Sequence, residues 1–413
     1  MPPTPPHPDD HHAVVADNGA ITYRALLANH EFAGLYVSFT ATTAASTLSG
    51  YALGTLVQAQ TSSPLLTALS MYAGTLATVL GALTLMSIAD TARPRRVLLA
   101  LQALSLATVA AQAVPGLPLP VRFALLLITG FFASLGTGAR LGLLSEVVPA
   151  NRYALARSLM NITSGGTAVI GFTVAAFLLR FLDPDRVLLI SAALVGAGLL
   201  ATAVSVREHS VRLSRRPGLA RTWAINAALM RQADQRVLLV NLWVPNGLIV
   251  GCEALFLSYD STHAGLLLAA GAGGMLAGDL TVGRFLTAPQ RARWALGLRV
   301  LLAAPFLVFA LHPPLLVGVV AVFCASVGYA ATLPLQEKLL TVTAEDVRGQ
   351  VQGVESAGRM TWQGLGAGIA GVLAQGFGPA VAIAVAAGIS LMITFGTAGR
   401  VRRLGNGASQ ATS

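Results

Sequence analysis

Charge is what this sequence has least of. Only 11% of its 413 residues are Asp, Glu, Lys or Arg, against about 25% in an ordinary soluble domain. Apolar residues make up 54% of the chain, and mean hydropathy is +0.69. A water-soluble fold of this size has nowhere to bury so much apolar surface, whereas a bilayer removes the need. Lysine is almost missing: Lys338 is the single one, and the other 26 basic residues are arginine. Cysteine is scarce too. Cys252 and Cys324 each stand alone in an apolar run, which excludes a disulfide framework.

The constellations of enzyme chemistry are also missing. No His, Cys and carboxylate cluster has metal-ligand spacing. His30, His209, His263 and His312 fall near helix ends or loops. No phosphate-binding loop ends in Lys-Ser or Lys-Thr, which excludes ATP-driven work within this chain. We therefore expect no enzyme, no cofactor and no metal. The net charge of +10 would suit nucleic acid, but the arginines stand in short clusters between apolar runs and form no basic domain. His7, His11 and His12 lie near Asp9 and Asp10. The prolines at 2, 3, 5, 6 and 8 deny them a fixed ligand geometry, so residues 1–30 are expected as a disordered cytoplasmic tail. No signal peptide is visible.

What the chain does have is apolar runs long enough to cross a membrane, each needing about 20 residues. Twelve such runs fall near 32–58, 65–89, 97–114, 121–147, 154–181, 187–206, 237–259, 264–286, 294–311, 315–340, 350–377 and 379–401. They predict an all-α integral membrane protein of two six-helix bundles, 31–206 and 237–401, with tails at 1–30 and 402–413. The basic stretch 207–236 separates the bundles. Within it Leu219, Trp223, Ala227 and Met230 recur at helical spacing, which suits a helix lying on the membrane surface. An irregular linker is the plainer alternative.

Arginine placement sets the orientation. With the N-terminus in the cytoplasm, the inner segments hold clusters such as Arg93, Arg95 and Arg96, and seven arginines between Arg207 and Arg236. The outer loops hold only Arg122, Arg180 and Arg186. This bias predicts a multi-pass protein of the inner (plasma) membrane with both termini cytoplasmic.

The two halves resemble each other. Residues 143–161 read LLSEVVPANRYALARSLMN, and residues 335–355 read LQEKLLTVTAEDVRGQVQGVE. Glu146 and Glu337 hold matching places 191 positions apart. A duplicated six-helix unit is a transporter architecture.

The loop after the second run reads SIADTARPRR, and its counterpart reads GDLTVGRFLTAPQRARW. With the duplication, the helix number and the loops around Pro149–Arg157 and Glu345–Gly358, these segments make the chain resemble the major facilitator superfamily. The likeness runs from Tyr23 to Arg403, and is nearest to the bacterial branch of macrolide and siderophore exporters. Asp90, Arg95 and Arg96 carry the family's loop signature. Met86 stands where glycine is usual, and Thr91 where arginine is usual. The fifth run holds Gly165, Gly166 and Gly171, with Phe172 where the family's antiporters have proline.

The resemblance implies a cytoplasmic latch that clamps helix ends in one conformation and frees them in the other. Asp90, Arg95 and Arg96 would form it in the first half, with Arg140 and Glu146 as partners. Glu337 with Arg284, Arg291 or Arg293 would be its equivalent in the second half. Topology alone also places arginines there.

Glu253 stands out in the seventh run. An ionisable group so deep in a span is costly and commonly faces a cavity or a partner, which makes it a proton-carrier candidate; a protonated or paired structural glutamate, or a position at the outer interface, is the alternative. Asn161, Asn241, Asn246 and Gln363 are polar residues within spans. They are either substrate contacts in a central cavity or links between helices, and Asp279 is similar. Glu355 and Arg359, four apart with the acid first, read as an intrahelical pair. Gly274 with Gly278, and Gly364 with Gly368, would let helices pack closely.

These features together predict a secondary transporter, a monomer in the lipid bilayer. It would export a small amphipathic metabolite or drug-like compound against a flow of protons. Uptake of a nutrient by the same fold is the runner-up; the scarcity of aromatic and intramembrane amide side chains counts against it. A non-transporting scaffold or sensor would want a soluble domain, and none is evident.

Overall fold

The computed structural model describes residues 23–89, 93–208 and 229–410. After a short helix, Tyr23–Leu27, twelve long helical segments follow. They are α1 (His30–Thr61), α2 (Pro64–Ala89), α3 (Pro94–Gln112), α4 (Leu119–Val147), α5 (Ala150–Leu178) and α6 (Pro184–Ser205). The second set is α7 (Ala233–Tyr259), α8 (Ala264–Phe285), α9 (Ala288–Leu311), α10 (Leu315–Thr341), α11 (Arg348–Phe377) and α12 (Pro379–Gln410). Three of them are not uniform: α7 is broken by a turn at Leu255, and α9 and α10 change their winding. The last part of α9, Ala304–Leu311, winds as a 3₁₀ helix, and α10 is interrupted by a 3₁₀ turn at Gly328–Ala331.

Local chemistry starts and stops these helices. Asn29 caps α1 by accepting the amides of Glu31 and Phe32. Thr287 and Gln290 form a capping box on α9, which satisfies amides that have no intrahelical partner. Proline opens α2, α3, α6 and α12, where its missing N–H leaves nothing unpaired. Gly378, at φ +81°, lets the chain reverse between α11 and α12, a conformation a side chain would oppose.

Nine of the described helices are long and apolar enough to cross a membrane by composition. The other three long segments, α1, α3 and α11, carry more polar residues. Exposed apolar side chains such as Val204, Phe285, Leu316 and Met392 face outward, as lipid contact requires. The chain is a multi-pass membrane protein. The ends differ from expectation in one respect: α12 continues to Gln410, through residues expected as tail. The expected surface helix around Leu219–Met230 lies mostly outside the described residues, as do residues 1–22.

The packing is duplicated. In the first half α1 packs on α6 and α5, α2 on α4, and α3 on α4 and α6. In the second, α7 packs on α12 and α11, α8 on α10, and α9 on α10 and α12. Each contact recurs six helices later. The halves meet along two seams, α2 on α11 and α5 on α8. These exchange when the halves are swapped, so the bundle has a pseudo-twofold axis. An even number of passes puts the start of α1 and the end of α12 on one side, the near side; the opposite side is the far side.

Arg122 pins the far side of the first half. Its side chain is 1% exposed. It donates to the carbonyls of Gln112, Val114 and Leu117, and to Asp185 Oδ1 at 3.0 Å. Arg122→Ala leaves these acceptors and one carboxylate without a donor. The expected loss is about 3 kcal/mol or more of stability, read as a lower unfolding midpoint in detergent. Asp185→Asn, which keeps an acceptor, should lose less.

Candidate functional site

The seams determine which side of the bundle is closed. Along them small residues let backbones approach. A Cβ on Gly364 of α11 would stand 2.3 Å from Leu76 Cγ of α2, and one on Gly371 would stand 2.7 Å from Leu65 Cα. In the other seam, a Cβ on Gly265 of α8 would meet Ala176 Cβ of α5 at 2.3 Å, and Gly165 faces Leu276. Leu76 and Leu276 each lie twelve residues from the far end of their helix, a depth of about 18 Å. These close approaches therefore run from the far ends to the middle of both seams. Polar contacts reinforce them there. Ser258 Oγ donates to Gln58 Oε1 at 2.7 Å, and Gln375 Nε2 donates to Ser63 Oγ at 2.8 Å. The far side is joined across the halves.

Glu253 sits at the level of this closure. It lies six residues before Tyr259 at the far end of α7, about 9 Å along the helix, and is 6% exposed. The hydroxyl of Tyr329, in the 3₁₀ turn of α10, donates to Glu253 Oε1 at 3.4 Å. Gly271 of α8 stands so close that a Cβ there would be 3.6 Å from the same oxygen. Tyr72 of the other half packs against Ala254, next to Glu253, and against Ala367 of α11. The carboxyl is thus enclosed by three helices of its own half, with an aromatic residue of the other half beside it. The apolar run 237–259 places it at the same distance from that end.

The four amide candidates are separated by the structure. Asn161 of α5 lines a crevice of about 190 Å³ with Arg140, Arg157, Phe39 and Thr137. There the Arg140 guanidinium stands 5.0 Å over the Phe39 ring, a cation–π contact. Asn246 shares the face of Glu253 two turns away, is 4% exposed, and has an unpartnered Oδ1. Gln363 is half-buried on α11 beside the seam glycine Gly364. Asn241 turns elsewhere: its Oδ1 accepts from Arg299 Nη2 of α9 and from Thr397 Oγ1 of α12 at 2.8 Å. It links helices within the second half.

A cavity of about 340 Å³ lies in the first half and reaches Met360 of α11. Hydroxyl side chains line it, yet many are already used. Thr42, Ser46, Ser49, Ser70, Thr78 and Thr129 each donate to a carbonyl of the preceding turn of their own helix. Such back-bonding leaves methyl and methylene groups as the presented surface.

On the near side the two proposed latch groups stand differently. Arg95 donates to the carbonyls of Val206 and Ala203 at 2.7 and 2.8 Å and lies 3.9 Å from Glu208, while Arg96 lies 3.4 Å from the same carboxylate. They tie the start of α3 to the end of α6, away from Arg140. Asp90 lies outside the described residues. Glu146 is half-buried at the near end of α4. In the second half Glu337 Oε1 accepts from Arg291 Nη2 at 2.5 Å, whereas Arg284 is exposed on α8. The single exchanges Arg291→Glu and Glu337→Arg are expected to separate the near ends of α9 and α10, and the double exchange to restore them. Spin-label distances across the pair check this.

Asp279 is exposed on α8. Glu355 is buried, 3.0 Å from Arg359 and bonded by Gln336, an intrahelical pair as read. Gly274 and Gly278 face the backbone of Phe323 and Val327 in α10, so they bring α8 and α10 together. Buried Arg299 and the Tyr329 hydroxyl escaped sequence reading. The first passed as one more arginine within a helix, and the second as an aromatic within an apolar run.

No family model matches the sequence, and no curated protein matches it. Solved structures do. A variant of the nucleoside transporter NupG aligns at 14% identity over 89% of this chain and 99% of that one, with a TM-score of 0.76. A bacterial homolog of the human lysosomal transporter Spinster, inward-facing and unoccupied, aligns at 14% over 92% and 96%, with a TM-score of 0.65. A D-xylose–proton symporter aligns at 14% over 90% and 97%, with a TM-score of 0.61. With twelve long helices in two matching halves, the chain has the all-α, major-facilitator-like fold of these transporters.

Proposed function

We propose that the chain is a secondary transporter that works by alternating access and exports small amphipathic compounds in exchange for protons. Glu253 carries this reading. A carboxyl enclosed by α7, α8 and α10 has no structural ion-pair partner among the described residues, and it lies where the halves must separate for the far side to open. Such a group can load a proton in one conformation and release it in the other. The seams support the alternation, being joined at the far side by small residues and two exchangeable hydrogen bonds. The back-bonded hydroxyls support an amphipathic solute, because the cavity they line presents little free polarity. The solved structures that the chain resembles include a proton symporter. The arginine bias supports cytoplasmic termini and a plasma-membrane protein, which would act as a monomer.

The test uses purified protein in liposomes with an imposed pH gradient and a lumenal pH dye. Amphipathic cations, weak acids and neutral compounds are added one at a time. Solute-dependent dissipation of the gradient, in the sense of exchange, is the expected result. Dissipation in the sense of co-transport would replace export with uptake. A response equal to that of empty liposomes across the panel would remove proton-coupled export.

A further inference from the structure

A cavity of about 700 Å³ lies away from the seams, at the near side between α9, α10 and α12. Four cations line it: Arg293, Arg299, Lys338 and Arg402. Among the described residues no carboxylate lines it. Lys338 donates to the carbonyl of Val401 at 3.2 Å, so its charge is held at the wall.

Arg299 is the telling residue. It is 3% exposed and stands eleven residues into α9, about 16 Å from the near end. Its Nη2 donates to Asn241 and to Thr394 Oγ1, both neutral, and its Nε has no hydrogen-bond partner. A guanidinium at that depth without a counter-ion is costly. An anion entering the crevice from outside the chain would supply one.

We infer that this crevice binds one anionic phospholipid, its phosphate held by Arg293, Lys338 and Arg402 and attracted by Arg299 beneath them. The source is lipid because of what surrounds the cations. The crevice opens on the face turned from the other half, where Leu296, Met392 and Phe395 are exposed at 43, 67 and 59%. Trp294, 58% exposed, flanks it on α9 at the level where aromatic side chains meet lipid headgroups. Acyl chains can lie on these apolar side chains while the headgroup meets the cations, and a free phosphate would gain nothing from them. Basic pockets between membrane helices on the cytoplasmic side suit anionic headgroups.

Native mass spectrometry of the full chain in detergent, titrated with phosphatidylglycerol, phosphatidylcholine or inorganic phosphate, tests this. One phosphatidylglycerol per chain is expected to bind saturably and more tightly than phosphatidylcholine, with no competition from inorganic phosphate. The rim variant Arg293→Gln/Arg402→Gln, which leaves Arg299 and its helix contacts in place, should weaken it at least about tenfold. The far-side variant Arg180→Gln/Arg186→Gln, altering two exposed arginines, should keep full binding. Equal binding of the two lipids, competition by phosphate, or unchanged binding by the rim variant would each overturn the proposal.

Discussion

Glu253→Gln is expected to abolish solute-dependent proton movement while the protein still folds and still exchanges solute for solute. Glutamine has nearly the shape of the protonated acid and keeps an oxygen for the Tyr329 hydroxyl, which reaches Glu253 Oε1 at 3.4 Å. It cannot take up or release a proton. In liposomes the dye signal should fall to that of empty vesicles, and counterflow of labelled solute should persist. Proton movement retained by the variant would remove Glu253 from the coupling path and leave transport itself standing. Tyr329→Phe is the companion: it removes the donor without touching the carboxyl, and should shift the pH at which coupling operates without ending it.

Gly366→Ala is expected to disrupt the second half. Here α7 crosses α11 with backbones in contact. A Cβ on Gly366 would stand 1.9 Å from the carbonyl oxygen of Gly247, and one on Gly247 would stand 2.3 Å from that of Trp362. Backbone cannot swing aside as a side chain can, so the two helices must part. Overpacking of this kind costs about 1–3 kcal/mol, and here it lies on the helix pair that holds Glu253. A marked fall in thermal stability in detergent is the expected reading. Gly368→Ala, two residues on and facing the other way on the same helix, is the contrast. Its nearest neighbour would be Leu69 Cδ2 at 4.0 Å, so it should be neutral or gain up to about 1 kcal/mol from helix propensity. Equal effects at the two positions would contradict the packing.

The helices were readable from composition because lipid demands unbroken apolar runs of fixed length. Their ends were less so. The ninth run was read from 294, yet α9 starts at Ala288 because Thr287 and Gln290 cap it. That signal lies in the residues themselves and precedes the apolar run. Faces were harder still. Helix α7 is buried on nearly every side, so hydropathy has no period along it and cannot say where Asn241 and Glu253 point. One proved to serve Arg299, and the other to lie within the far-side closure. The latch candidates were assigned to one end of the bundle by charge bias alone. Their partners were not legible, since Arg291, Arg284 and Arg293 share that bias and only packing selects Arg291 for Glu337.

The 3₁₀ turn at Gly328–Ala331 gives α10 a bend point beside Glu253. Tyr329, in the turn, touches Glu253; Glu337, on the arm Thr332–Thr341, grips Arg291. Glu337 stands six residues along that arm, about 9 Å, so a bend of about ten degrees at the turn moves it about 1.6 Å, more than half the length of the ion pair it holds. A change of charge at one end of a single helix segment can therefore be felt as a released grip at the other, with no relay of intervening side chains.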